Sequence, residues 1–199
     1  MDSQLLELNA TYEVVTPPSV DAEVLTLTDL KAQCRIDVVD EAELVKGHLA
    51  AAIDKLESDT GLILRPTTFA LMLDRFPCAT RAIELARAPV TSIESITYFD
   101  ADGEEQTLES DNYLAAFGRP SRIVPAFGTH WPPSQRRPQA VRIEFVCGFA
   151  EGEVPPRALQ AIRMMVGHWF LNREAVADRR IEEIAEAYSS LKNALDWRA

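Results

Sequence analysis

Histidine, cysteine and clustered carboxylates are the residues with which this chain would do chemistry, and they are dispersed. His48, His130 and His168 stand in three separate contexts. None shows the HExxH spacing that puts two imidazoles on one helical face, and no cysteine lies near enough to complete a zinc site. His48 and His168 fall on apolar helical faces, where a histidine ordinarily packs in a core or an interface. Cys34, Cys78 and Cys147 are odd in number and far apart, with no CxxC pair and no signal peptide ahead of them. They read as reduced thiols in a cytoplasm-like compartment. The run DADGEE at 100–105 superficially matches a calcium loop, but it lacks the alternating ligands and distal glutamate of an EF-hand and reads as a solvated hairpin tip. GxGxxG, Walker and GxSxG patterns are absent, so phosphate cradling and a nucleophile elbow have no support. The expectation is a chain with no catalytic residue, no metal and no cofactor, and not an enzyme.

Arginine is the other chemically telling residue. Residues 119–142 hold five arginines, five prolines, Trp131 and no acid, in a chain that is otherwise acidic. One reading is a long connection stiffened by proline, its arginines paired with acids elsewhere. The other is a contact loop in which Arg119, Arg122, Trp131, Arg136 and Arg137 meet a partner, since Arg and Trp are over-used at interfaces and Arg also touches phosphate. Contact with protein is the preferred expectation.

The elements that must carry these residues follow from periodicity. Over 154–174, Ala158, Leu159, Ile162, Met165, Val166, Trp169 and Phe170 recur at helical spacing, and Ala161, Met164, His168 and Leu171 widen the apolar surface. Pro155 and Pro156 mark the start, where the first turn has no internal use for its N–H groups. This is expected to be the core helix, over 155–173. Ahead of it, residues 1–24 read as an arm with one strand over 11–15. A short helix is expected over 28–36 with Thr28 as its cap, and a long one over 41–60, capped by Asp40 and stopped by Gly61. The long helix buries Leu44, Val45, His48, Leu49, Ala52, Ile53 and Leu56. Glu41, Glu43, Asp54, Glu57 and Asp59 lie away from that stripe, as a solvated face or as an acidic wall turned toward a polyanion.

Between 65 and 149 the texture changes to short runs of Ile, Val, Phe, Tyr and Thr divided by turn signals, which reads as antiparallel sheet. Residues 92–117 read as one hairpin turning at Asp102-Gly103. The last stretch, 178–199, carries Ile181, Ile184, Tyr188, Leu191, Leu195 and Trp197 at helical spacing. Such a stripe is either docked at home or used on a partner, and the partner is preferred. The fold class is therefore α+β: a scaffold of about four helices with an antiparallel β region inserted between the second and third.

Composition sets bounds on all this. The 199 residues are 47% hydrophobic with a formal net charge of −11, enough for a sizeable core and contrary to a surface devoted to binding nucleic acid by counterion release. Residues 1–62 contain thirteen Asp/Glu against four Lys/Arg, so the acid is concentrated in the first third. No apolar run approaches the roughly 18 residues of a membrane span, so the chain is expected to be soluble and without a membrane partner.

Specific words extend the reading. LTLTDLKAQCRID (25–37), EAELVKGHLAAAIDKLESDTG (41–61), RPTTF (65–69), APVTSIESITYFDADG (88–103), VRIEFVCGF (141–149) and above all VPPRALQAIRMMVGHWFLNREAV (154–176) occur in an order that resembles the head-tail connector family. This family, also called adaptor or head completion proteins, belongs to tailed bacteriophages and gene transfer agents. The resemblance spans about residues 25–177. Beside the arm already read over 1–24, it implies a connector domain (25–177) and a docking segment (178–199). It also implies a structural virion protein made in the bacterial cytoplasm. Such proteins form a ring, commonly of twelve copies, beneath the portal; the ring extends the DNA channel and offers the tail a docking surface. The partners implied are the portal protein, a tail-side connector or terminator, copies of itself, and double-stranded DNA that passes without being specifically bound. The C-terminal stripe Ile181, Ile184, Tyr188, Leu191, Leu195 and Trp197 would reach the portal. Some of Glu41, Glu43, Asp54, Glu57 and Asp59 would face the channel, where repulsion of phosphate eases passage. Alternatives from other directions are a tail terminator or stopper of the same machine, and a sequence-independent DNA-binding module using the arginine loop.

Overall fold

The structure, a computed structural model, describes residues 8–19, 24–34, 42–171 and 179–195, with side chains for all of these except 31–34 and 179–185. The order of elements is β1 (Thr11–Thr16), α1 (Leu27–Cys34), α2 (Ala42–Thr60), β2 (Thr67–Leu73), β3 (Ile83–Leu85), β4 (Val90–Phe99), β5 (Glu105–Thr107), β6 (Tyr113–Ala116), β7 (Ser121–Pro125), β8 (Val141–Cys147), α3 (Pro156–Leu171) and α4 (Arg179–Leu195). The fold is mixed α+β, with four helices and two antiparallel sheets among the described residues. The chain divides into two compact units, one of Met1–Ser19 with Pro66–Gly148, the other of Val20–Arg65 with Phe149–Ala199.

The first unit holds both sheets. Five strands run in the order β1-β2-β8-β4-β5, and three more in the order β3-β7-β6. The period of two in VRIEFVC is what lays β8 in the centre: Val141, Ile143, Phe145 and Cys147 are buried while Arg142, Glu144 and Val146 alternate with them. The β2 register sets Phe69 opposite Phe145, Leu71 opposite Ile143 and Leu73 opposite Val141, so large apolar side chains pair directly across the strands. On the opposite face Arg142 reaches Glu144 at 2.8 Å and Glu13 at 3.4 Å.

The sheet region departs from the sequence expectation in one respect. Strands β4 and β5 pair antiparallel, Thr97 with Thr107 and Phe99 with Glu105, but β5 is three residues long and the rest of the expected hairpin arm leaves the sheet. A 3-10 turn at Ser110–Asn112 redirects the chain, and β6 pairs with β7 in the second sheet instead. The polar run Glu109, Ser110, Asp111, Asn112 has no apolar alternation to hold it in a ladder, which is the physical reason. At the turn between β4 and β5, Asp100 Oδ1 accepts hydrogen bonds from the backbone N–H of Asp102 and of Glu104, both at 3.0 Å, and Oδ2 accepts one from Gln106 at 2.9 Å. These bonds, led by that from Glu104, hold the Asp100 carboxyl below its usual range. Gly103 takes φ +87° there, a conformation costly for any residue with a Cβ.

The second unit is built on α3, which packs against α1, α2 and α4. Ala158, Ala161, Ile162, Met165 and Val166 are buried, the core-helix stripe, whereas Leu171 at its end is 73% exposed. The helix begins at Pro156, and the Pro155 carbonyl accepts from the N–H of Ala158 and Leu159. The first helix starts one residue before expectation because Thr26, not Thr28, is its cap. Thr26 Oγ1 accepts from the Asp29 N–H at 3.1 Å and donates to Asp29 Oδ2 at 2.7 Å, and Asp29 Oδ2 also accepts from the Thr26 N–H. That reciprocity needs an acid three residues past the cap, which Thr26 has and Thr28 lacks. In α2 the buried positions are Val45, Ala52, Ile53, Leu56 and Thr60; Leu44 is displaced from that stripe and 40% exposed. The helix stops where Gly61, at φ +72°, donates its N–H to the Glu57 carbonyl. The proposed cap Asp40 lies outside the described residues.

Candidate interaction surfaces

Helical spacing sorts the acidic set on α2. Positions 43, 54 and 57 fall within about 60° of one another at 100° per residue, and position 59 points well away from them. Glu43 and Asp54 are exposed, Glu43 within 2.8 Å of Lys46. Glu57 Oε1 accepts the Leu64 backbone N–H at 2.7 Å and so ties the segment after the helix back onto it. Asp59 accepts from Lys55 Nζ at 3.1 Å and from the Tyr188 hydroxyl at 2.9 Å. Partial burial raises its pKa as the largest single influence, but the hydrogen bonds from Tyr188 and Lys55 and the charges of Lys55 and Lys192 together outweigh it, and the carboxyl sits below its usual range. Glu41 lies outside the described residues. Of the four described acids, Glu43 and Asp54 are thus the pair displayed on one exposed face.

The C-terminal stripe meets its own unit where its side chains are described. Tyr188 is half-buried, with the Lys55 ammonium 5.7 Å from its ring centroid. Burial, then the hydrogen bond to Asp59 and that carboxylate's charge, raise its phenol above the ordinary value. Leu195 is 4% exposed and Leu191 half-buried. The side chains of Ile181 and Ile184, and all of Trp197, lie outside the described residues.

The arginine stretch is partly strand and partly irregular. Arg119, Arg122, Arg136 and Arg137 are exposed, Arg122 on β7 opposite Glu84 and Ala116. The Arg137 guanidinium lies 4.1 Å from the centroid of the Phe99 ring, a cation–π contact. Trp131 does not project. It is 8% exposed, stacked on Phe76 at 5.0 Å and 6°, and donates its indole N–H to the Arg81 carbonyl at 2.8 Å. Trp131 therefore fastens the proline-rich stretch to its own unit. Composition supplies no means of telling such an anchor from a contact residue.

The sequence reading passed over a different group. Leu114, Phe117 and Phe127 are 58%, 51% and 102% exposed. Leu114 and Phe117 fall in the stretch expected to form the hairpin and Phe127 in the β region beyond it, so none was singled out. Their only sequence signal is proximity to Arg119 and Arg122.

No group of three or more His, Cys, Asp or Glu among the described residues is placed to hold a metal ion. His48 lies 6.1 Å from the Trp169 ring, with Nε2 buried and lacking a hydrogen-bond partner, and His130 is exposed. Cys78 is exposed and Cys147 buried. No helix among the described residues is long and apolar enough to cross a membrane.

No protein-family model matches the chain, and no curated protein does. Solved structures of gene transfer agent particles do. A chain in the virion of a native particle is similar at a TM-score of 0.73 and 20% identity, over 91% of this chain and 94% of that one. A chain in the neck of an empty particle, computed with C6 symmetry, gives 0.72 and 20% over the same shares. One in the neck of a native particle, computed with C12 symmetry, gives 0.67 and 20% over 90% and 94%. The chain shares the fold of these neck and virion chains along nearly its whole length.

Proposed function

We propose that the chain is a structural component of the neck of a gene transfer agent or a phage-like particle. In this reading it is a head-tail adaptor that forms a ring of copies below the portal, extends the DNA channel and links capsid to tail. The observation that carries the reading is the agreement of fold over nine-tenths of both chains with neck chains of such particles. The symmetry in which those necks were computed supports a ring. The family resemblance of residues 25–177 favours an adaptor over a tail terminator or stopper, with a helical scaffold, a β region inserted between its second and third helices, and a C-terminal docking segment.

Within that role the surfaces divide. Glu43 and Asp54 face the channel and keep phosphate from adhering. The C-terminal stripe, through Ile181, Ile184, Leu191 and Trp197, reaches the portal, with Tyr188 and Leu195 holding the helix to its own unit. Arg119, Arg122, Arg136 and Arg137 meet an acidic neighbour. Electron microscopy of particles from cells lacking the gene tests the role: capsids with portals but without attached tails are expected. Fully tailed particles with an unaltered neck would remove the proposal, and neck density missing only at its far tail side would favour the terminator. The exposed arginines also support a DNA-binding module. That reading requires binding of the purified chain to duplex DNA that weakens steeply between 50 and 200 mM salt.

A further inference from the structure

One carboxylate ties three strands of the five-stranded sheet together at one end. Asp74 directly follows β2, whose neighbours in the sheet are β1 and β8. Asn9 stands two residues ahead of β1 and Gln139 two residues ahead of β8. Thr11 lies opposite Met72 and Val141 opposite Leu73, so both strands enter the sheet beside the end of β2. Asp74 Oδ2 accepts from the Asn9 side-chain amide at 2.6 Å, and Oδ1 accepts from the Gln139 backbone N–H at 3.0 Å. The Asp74 N–H donates in turn to the Leu8 carbonyl at 3.1 Å. Asn9 and Gln139 take φ +49° and +56°, and they are two of the three non-glycine residues with positive φ among the described residues. A Cβ disfavours that conformation, in Gln more than in Asn, and it persists where surrounding bonds impose it. Here both bonds end on one carboxyl group. The bonds from Asn9 and then from Gln139, with the charge of Arg75, outweigh desolvation and hold that carboxyl below its ordinary value of 3.8.

We propose that Asp74 is a latch on β1: its carboxylate keeps this edge strand docked, and without it β1 leaves β2 while β2, β8 and β4 stay paired. The latch acts in the isolated chain and is independent of the neck role. The strands differ in what else retains them. β8 lies between β2 and β4, with Val141, Ile143, Phe145 and Cys147 buried. Among the described residues β1 pairs with β2 alone; five of its six residues are exposed, and its ladder is broken between Val14 and Thr16. Its other ties are the Tyr12 hydroxyl, which accepts from the Ala86 N–H at 2.8 Å, and Glu13, 3.4 Å from Arg142. What β1 covers gives the latch its purpose. The strand beneath it, TTFALML, carries no charge, and an uncharged apolar edge is a template for pairing with another chain. Docked, β1 sets Glu13 and an interrupted ladder over that edge; released, it lays the edge bare.

Hydrogen exchange of the purified full chain, read peptide by peptide as protection factors, tests the latch. Asp74→Ala at pH 7 is expected to lower protection over residues 11–16 by about tenfold or more, with residues 141–147 within about twofold of native. Asp74→Asn keeps one acceptor oxygen of the two and should fall between. A carboxyl held below its ordinary value contributes fully above that value and is lost as pH falls through the folded one. In the native chain, protection of 11–16 should therefore hold from pH 7 down to 3.8 and then fall ahead of that of 141–147. Equal protection of 11–16 in the native and Asp74→Ala chains would overturn the inference. So would a loss shared evenly by 11–16 and 141–147, the mark of general destabilisation. If Asp74→Ala does not fold, Asp74→Asn and the acid titration of the native chain carry the test: native-level protection of 11–16 in the first, or an even loss across both strands in the second, overturns the latch.

Discussion

Asp59 and Tyr188 join α2 to α4 through a hydrogen bond whose acceptor is charged, and that makes it pH-sensitive. Asp59 is held below its ordinary value of 3.8. The stability it contributes is therefore present in full above that value and is lost as pH falls through the folded value. Tyr188→Phe is expected to cost about 1 kcal/mol at pH 7, at the low end for a charged acceptor because Asp59 is part-exposed. The gap between variant and native chain should narrow as pH falls below 3.8, and urea titrations at pH 7 and in that acid range measure both. Trp131 makes a larger demand. Its removal as Trp131→Ala strips the stacking on Phe76 and the bond to Arg81 and should cost about 3 kcal/mol, whereas Trp131→Phe keeps an aromatic face and should cost about 1 kcal/mol. Equal losses in thermal unfolding would contradict the separate roles assigned to ring and N–H. Neither residue's role was legible in the sequence. Tyr188 was visible as one member of a helical stripe, but its acceptor lies 129 residues away, and no local pattern encodes that distance.

Helices are where local signals served best, because their start and stop chemistry is contained within a turn. Gly61 as a stop and Pro156 as a first helical residue were both readable, and the core stripe of α3 was readable from spacing alone. The start of α1 was misplaced by choosing the nearer threonine. The capping box of Thr26 with Asp29 is expected to contribute about 1 kcal/mol, so Thr26→Ala should lower stability by that amount and Thr28→Ala by much less; paired denaturant midpoints distinguish the two. Strand partners were the least legible. NYLAAF has the alternation of a strand, yet alternation says nothing about whether its neighbour is β4 or β7. The 3-10 turn that decides it is made from residues that read only as polar.

Across the whole chain the legible quantity was charge, and its distribution is what the proposed channel role uses. Glu43 and Asp54 are exposed on α2, where substitution disturbs no hydrogen bond to the backbone. Replacing both by lysine should leave neck assembly intact and slow DNA passage, with the number of DNA-emptied particles falling several-fold and recovering at higher salt. Unchanged release at low salt would place these carboxylates away from the duplex. The exposure of Leu114 was not legible in advance, because it is a property of which side of a small sheet is covered.

Both units are interleaved along the polypeptide: the first closes only with Gly148, and the second is begun by Val20–Arg65 and finished after Phe149. On the ribosome the β unit is therefore completed first, while α1 and α2 emerge early and must wait through more than eighty residues of translation for α3, against which they pack. A fragment released at residue 148 should yield protease-resistant strands beside helices that are readily digested, so α1 and α2 depend for their shelter on the last part to be made.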